Sequence, residues 1–88
     1  MATIKIIGLA HGMPTPFDGQ YVMEYDPTRP GVDPAGELMI AHLVCTPDPA
    51  KALDLPIDEA FELWRKAQGR RADCRPSRPL TAFHVDIS

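Results

Sequence analysis

Pro56-Ile57-Asp58-Glu59-Ala60-Phe61-Glu62-Leu63-Trp64-Arg65-Lys66-Ala67-Gln68-Gly69 decides the fold. Ile57, Ala60, Phe61, Trp64 and Ala67 recur at three- and four-residue spacing, which lays one apolar stripe along a helix. Pro56 suits the first helical position, where its missing N–H costs nothing. Asp58 and Glu59 follow in the first turn, where negative charge suits the helix dipole. Glu62 and Lys66 stand four apart on the wet face, in the supportive order, and Gly69 ends the helix. A helix with one apolar stripe needs a surface to cover. Trp64 and Phe61 are expected to plug it against a sheet, each worth roughly 1.5–3 kcal/mol on burial.

The sheet is expected from the flanking segments. Thr3 to Leu9 is rich in β-branched residues and too short for a helix, so it reads as a first strand. Residues 10–19 hold Gly12, Pro14, Pro16 and Gly19 and read as a long stiffened loop. Gln20 to Asp26 alternates as a second strand. Pro27 to Gly36 is a second connection, with a turn at Arg29-Pro30-Gly31. Glu37 to Cys45 is apolar on both faces and is expected as a third, central strand. Thr46-Pro47-Asp48-Pro49 turns the chain, and 51–55 reads as a short fourth strand. After the helix, Arg70 to Pro79 is a polar loop. Leu80 to Ile87 is the last strand, with Thr81, Phe83, Val85 and Ile87 on one face.

The expected architecture is α+β: an antiparallel sheet of four or five strands with one helix packed on one face, in the order β-β-β-(β)-α-β. If 51–55 reverses the chain once more, the helix crosses back and the last strand can lie antiparallel beside the first. Eighty-eight residues make a single domain over 1–88 with room for one small core.

Charge divides the chain. Residues 1–64 hold Lys5, Arg29 and Lys51 against ten acidic side chains, whereas 65–88 hold six basic residues against Asp73 and Asp86. Arg65, Lys66, Arg70, Arg71, Arg75 and Arg78 exceed what a helix C-terminus needs, and offer forked hydrogen bonds to phosphates or carboxylates. The complementary candidates are Asp18, Glu24, Asp26, Asp33 and Glu37, on the second strand and its flanking loops. If they share a rim, they suit a basic partner such as the nucleic-acid channel of a larger enzyme. Nucleic acid as the partner is disfavoured by the net charge of −3 and by the lack of an aromatic row among the basic residues.

Chemistry finds little purchase. His11, His42, Cys45, Cys74 and His84 are scattered; His42 and Cys45 fall on opposite faces of a strand, and no Cys-x-x-Cys pair exists. Cys74 lies among arginines, the setting that activates a thiol, but the chain offers little room for a substrate pocket of ~300 Å³. Gly8-Leu9-Ala10-His11-Gly12 follows a strand but lacks a phosphate-binding glycine spacing, and Pro76-Ser77-Arg78-Pro79 is a short P-x-x-P match. No catalytic residue, metal or cofactor is expected. Nor is a membrane partner, since no run approaches the ~20 apolar residues of a spanning helix. The two cysteines are expected as reduced thiols in the cytoplasm.

The closing run Arg75-Pro76-Ser77-Arg78-Pro79-Leu80-Thr81-Ala82-Phe83-His84-Val85-Asp86-Ile87 resembles the tail of small proteins of unassigned activity from bacterial and phage or prophage genomes. His11-Gly12-Met13-Pro14-Thr15-Pro16 with Asp18-Gly19, Thr46-x-Asp48-Pro49-x-Lys51-Ala52 and Glu59-Ala60-Phe61-Glu62-x-Trp64-Arg65 are similar to the same group. In those relatives a glycine often stands at the place of Cys74. The resemblance implies a mobile-element setting, hence the host cytoplasm, and carries over no activity. Such a chain is expected to be a non-enzymatic protein-binding module, monomeric or a small homo-oligomer, for instance an inhibitor docking on a host enzyme. A minor virion or assembly component, or a nucleic-acid binder acting through 65–78, is the alternative.

Overall fold

Ile4 and Ile6 alternate with Lys5 and Ile7 along β1 (Ile4–Leu9), and that period of two places the isoleucines 4 and 6 in the core and leaves Ile7 half in water. A computed structural model describes residues 1–70 and 72–88. In it β1 is flanked by β2 (Tyr21–Asp26) on one side and β8 (Phe83–Ile87) on the other. The principal sheet has the order β5-β2-β1-β8, antiparallel throughout, with β5 spanning His42–Thr46. The last strand lies beside the first, with Ile4 opposite Ile87 and Lys5 opposite Asp86. One helix, α1 (Ile57–Arg65), completes an α+β fold.

The core is made where helix and sheet meet. Ala2, Ile4, Ile6, Val22, Leu43, Ala60 and Leu80 are buried together, and Phe17 joins them from the proline-rich loop. The Phe17 ring meets Phe83 edge to face, centroids 6.0 Å apart. That loop is therefore stiff for a purpose: it holds an aromatic plug against the sheet. On the outer face Lys5 Nζ lies 5.7 Å from the Tyr21 ring, a cation–π contact.

Several expectations are corrected. The 37–45 segment is not one central strand: Leu38–Met39 forms β4, paired with β3 (Gly31–Val32) in a separate hairpin. The chain then bends at Ile40 and Ala41 before β5, which is an edge strand. The bend arises because Gly31 packs on Ala41 and His42: a Cβ at Gly31 would sit 2.7 Å from the Ala41 carbonyl oxygen. Residues 51–55 do not form a strand. Asp48 caps a 3₁₀ turn over Pro49–Lys51 through its carboxylate and the Ala50 N–H, and Leu55 makes only an isolated bridge to Ala2.

The helix is shorter than its pattern. It starts after Pro56, which sits at the N-cap, and ends at Arg65; Lys66 turns extended, so Glu62 pairs with Arg65 instead of Lys66. Gly69 lies beyond the helix, in a hairpin of β6 (Gly69–Arg70) and β7 (Pro76–Ser77) that occupies the expected polar loop. The Gln68 main chain donates to Ser77 at 2.6 Å, so the hairpin ladder takes over the backbone where the helix would have continued. Ala60, with 0% exposure, is the helix residue that seats on the sheet; Leu63 and Trp64 pack beside it, and Phe61 is 43% exposed. The expected Phe61 plug is thus a surface residue. A second 3₁₀ turn, Pro79–Ala82, precedes β8 and buries Leu80 completely. No helix among the described residues is long and apolar enough to cross a membrane.

Candidate functional site

Asp26 ends β2 and begins the connection to β3 (Gly31–Val32). Its carboxylate accepts the Thr28 hydroxyl at 2.6 Å and the Thr28 N–H at 2.9 Å, and Arg29 Nε stands 3.4 Å away. The Thr28 hydroxyl, then its N–H, with the charges of Arg29 and Lys66 adding, hold the Asp26 carboxyl below its ordinary range. The hairpin turn is built the same way. Asp33 Oδ1 accepts the Glu37 N–H at 2.9 Å, and Gly36, with φ of 87°, supplies the left-handed residue that lets the chain reverse.

Polar groups hold this turn, so the apolar ones are left outside. Val32 and Leu38 are cross-strand partners on one face, and Ile40 follows. Their exposures are 57, 87 and 65%. Three large aliphatic side chains thus stand in water on one small hairpin and its exit, with Asp33 and Glu37 at its tip. Met39, on the other face, packs against the core and fixes the hairpin's seat.

The basic residues are less concentrated than their spacing suggests. Arg65 pairs with Glu62 on the helix, and together with Lys66, Glu59 and Leu63 lines a shallow hollow of about 660 Å³. Arg70 Nη1 donates to the Cys74 carbonyl at 2.8 Å, across its own hairpin. Arg75 Nε lies 4.0 Å from Asp73, whose other oxygen accepts the Arg75 N–H at 3.2 Å. Arg75 and Arg78 line a separate hollow of about 420 Å³ with Pro76, Thr81 and Ala82. Arg71 falls outside the described residues. The charge of Lys66 acts at a distance on the Asp26 carboxyl, in the same sense as Arg29.

The acidic candidates do not share one rim. Asp18 lies beside Gly8, near the Leu9 end of β1, bonded to the Thr15 hydroxyl at 2.6 Å. Asp26 ends β2 at the other side of the sheet, since β2 runs antiparallel to β1. Glu24 Oε1 is 3.6 Å from His42 Nε2, a buried nitrogen without a hydrogen-bond partner among the described residues. Glu24 and Asp26 stand two residues apart on β2, and Asp33 and Glu37 come together at the β3–β4 turn. The aliphatic patch beside them escaped sequence reasoning because Leu38 and Ile40 read as core positions of one long strand. The signal that would have found it is Asp33-Pro34-Ala35-Gly36, a turn motif between two short apolar pairs.

A third hollow, about 510 Å³, lies between α1 and β8. Phe61, Trp64, Phe83, Val85 and Ile87 make it largely apolar, and Thr81 adds a hydroxyl. Trp64 Nε1 is buried without a hydrogen-bond partner among the described residues. The hollows exceed the ~300 Å³ that the chain length suggested was unavailable, but they are open clefts on the surface. Among the described residues no three of His, Cys, Asp and Glu gather as a metal site. No protein-family model, curated protein or solved structure matches the chain.

Proposed function

We propose that this chain is a non-enzymatic protein-binding module of a mobile element that docks its β3–β4 hairpin on a basic surface of a host protein. The observation that carries the reading is Leu38, 87% exposed beside Val32 and Ile40 and next to the carboxylates of Asp33 and Glu37. An aliphatic centre with a charged rim is the anatomy of a docking patch: the centre supplies the binding energy, and the rim steers and selects. The hairpin is anchored by Gly31 and Met39, so its patch is pre-formed and little ordering is needed on binding. The basic segment fits a supporting role, because Arg65, Arg70 and Arg75 already have partners in their own chain.

The test is capture of a host protein from nuclease-treated lysate, followed by identification of the captured species and titration with it. Leu38→Ser is expected to weaken binding about tenfold or more. Glu37→Lys is expected to slow association and reduce its dependence on salt. Arg75→Glu with Arg78→Glu should leave both unchanged. If the arginine pair abolishes capture while Leu38→Ser does not, the docking surface is the basic hairpin and this reading is wrong.

A further inference from the structure

β1 pairs with one side of β8 (Phe83–Ile87), and no strand among the described residues pairs with the other. Thr3 and Ser88 exchange both main-chain bonds, at 2.9 and 3.2 Å, while Ile6 directs its N–H and C=O to Gln20 and Gly19 on the other side of β1. Main-chain groups of an antiparallel ladder alternate, so Asp86 faces Lys5 with its bonds and Val85 and Ile87 aim theirs at the open edge. Such a row is a template for another strand. The opposite edge is protected: the β3–β4 hairpin lies against Ala41 and His42 where β5 begins, and Pro47 and Pro49 follow its end. β8 contains no proline or lysine, and the bulge in its pairing falls on β1.

The side chains of β8 are complementary to themselves. Set antiparallel to a second copy with Val85 opposite Val85, the strand brings His84 opposite Asp86 of that copy on the outer face. On the helix face Phe83 meets Ile87, and symmetry repeats both pairs. Lys5 stands opposite Asp86 within its own chain, so each carboxylate would lie between a lysine and the histidine of the other copy. Sliding the strands by two residues puts His84 opposite His84 or Asp86 opposite Asp86. A shift of one sets the outward main-chain groups out of step. One register alone satisfies backbone and charge together.

We propose that the chain forms a twofold dimer through β8, joining two sheets into one. Val85 and its counterpart exchange N–H···O=C bonds in both directions, and each Ile87 N–H reaches the Phe83 carbonyl of the other copy. The Phe83 N–H is already committed to the Leu80 carbonyl and takes no part. Antiparallel pairing about an axis normal to the sheet keeps both helices on one face. The two apolar hollows beside Phe61 and Trp64 then flank a common seam. The β3–β4 hairpin sits at the far edge and stays free, so this inference and the docking reading stand or fall separately.

Sedimentation equilibrium of the full chain tests it, with the expected mass twice 9.7 kDa. Val85→Pro removes an outward N–H that β1 does not use and should return the mass to a single chain. His84→Asp sets like charges opposite each other twice and should weaken the dimer about tenfold. The swap H84D/D86H should restore it to within about threefold. Should Val85→Pro also unfold, which circular dichroism reports, the exposed His84 series decides alone. A wild-type mass of one chain up to ~1 mM overturns the proposal, as does a swap variant no tighter than His84→Asp.

Discussion

The two small hairpins, β3–β4 and β6–β7, are held in opposite ways. In β3–β4 the carboxylate of Asp33 secures the turn and the aliphatic Val32–Leu38 pair faces water. In β6–β7 the charged side chains secure the turn, Arg70 through the Cys74 carbonyl and Arg75 through Asp73, and no large apolar side chain is present between Gly69 and Arg78. In the segment with the higher charge density, Arg70 and Arg75 are thus tied to their own turn. The segment that reads as core presents the apolar surface. What a loop offers a partner is what remains after its own turn is satisfied.

The largest expected effect tests whether the hairpins are independent. Leu80 is fully buried directly after β7 and anchors the exit of that hairpin to the core. Leu80→Ala should cost about 2–5 kcal/mol in urea unfolding. Amide exchange at Gln68 and Gly69 should accelerate before exchange at Asp33 and Glu37 does. Equal acceleration in both hairpins would mean they open as one unit, and the contrast between them would lose its energetic basis.

A smaller effect sharpens the same contrast at two glycines. A Cβ at Gly31 would meet the Ala41 carbonyl oxygen at 2.7 Å and His42 Cα at 2.8 Å, both backbone atoms that cannot swing aside. Gly31→Ala should cost about 1–3 kcal/mol by overpacking. Gly69 has nothing within 4 Å of the same position, and Gly69→Ala should change stability by no more than about 0.5 kcal/mol. Thermal melts of the two variants side by side measure this. Equal costs would show that β3–β4 is no more tightly seated than β6–β7.

Cys74 gives the next contrast. Its φ of 65° is left-handed, a conformation that suits glycine and strains a side chain. A glycine at this place would adopt the same conformation without strain. Cys74→Gly should stabilise the chain by about 1 kcal/mol and leave the hairpin's pairing unchanged. A loss of stability instead would mean that the thiol contributes packing worth more than the strain.

The main sheet was legible because its strands keep a period of two with one face buried: Ile4 and Ile6 on β1, and Phe83, Val85 and Ile87 on β8, announce both strand and face. The last strand does lie beside the first, although the fourth-strand reversal at 51–55 through which the sequence led there is replaced by a 3₁₀ turn and an isolated bridge. The helix was legible in kind, not in length, since Ala67 continues the apolar spacing while the Gln68–Ser77 ladder bond competes for the backbone. Leu38 to Ala41 was misread because alternation cannot distinguish one strand from two joined by a bend; the deciding contact, Gly31 on Ala41, is nonlocal. For the site, the charged residues were visible as residues. Their commitments were not, because Arg70 to Cys74 and Arg75 to Asp73 depend on how the chain reverses.

The smallest effects concern the two thiols and the pH limits of stability. Cys45, on β5, is free and partly buried, and burial pushes its thiol up to about 12. Because this value lies above that of the unfolded chain, the associated stability is whole below about pH 8.5 and drains as pH rises toward 12. Tyr25 adds to the same alkaline limb, its hydroxyl raised chiefly by burial. Asp26 has the opposite sign: its lowered carboxyl contributes stability that is present above the ordinary carboxylate range and is lost as pH falls through its own lower value. Urea titrations against pH should therefore show an alkaline slope that Cys45→Ala flattens and an acid slope that Asp26→Asn flattens. Iodoacetamide at pH 8 should label the exposed Cys74 in the native chain and reach Cys45 only once β5 opens. Equal labelling rates would place β5, and the hairpin seated against it, among the least stable parts of the fold, and would reverse the order of rigidity between the two hairpins.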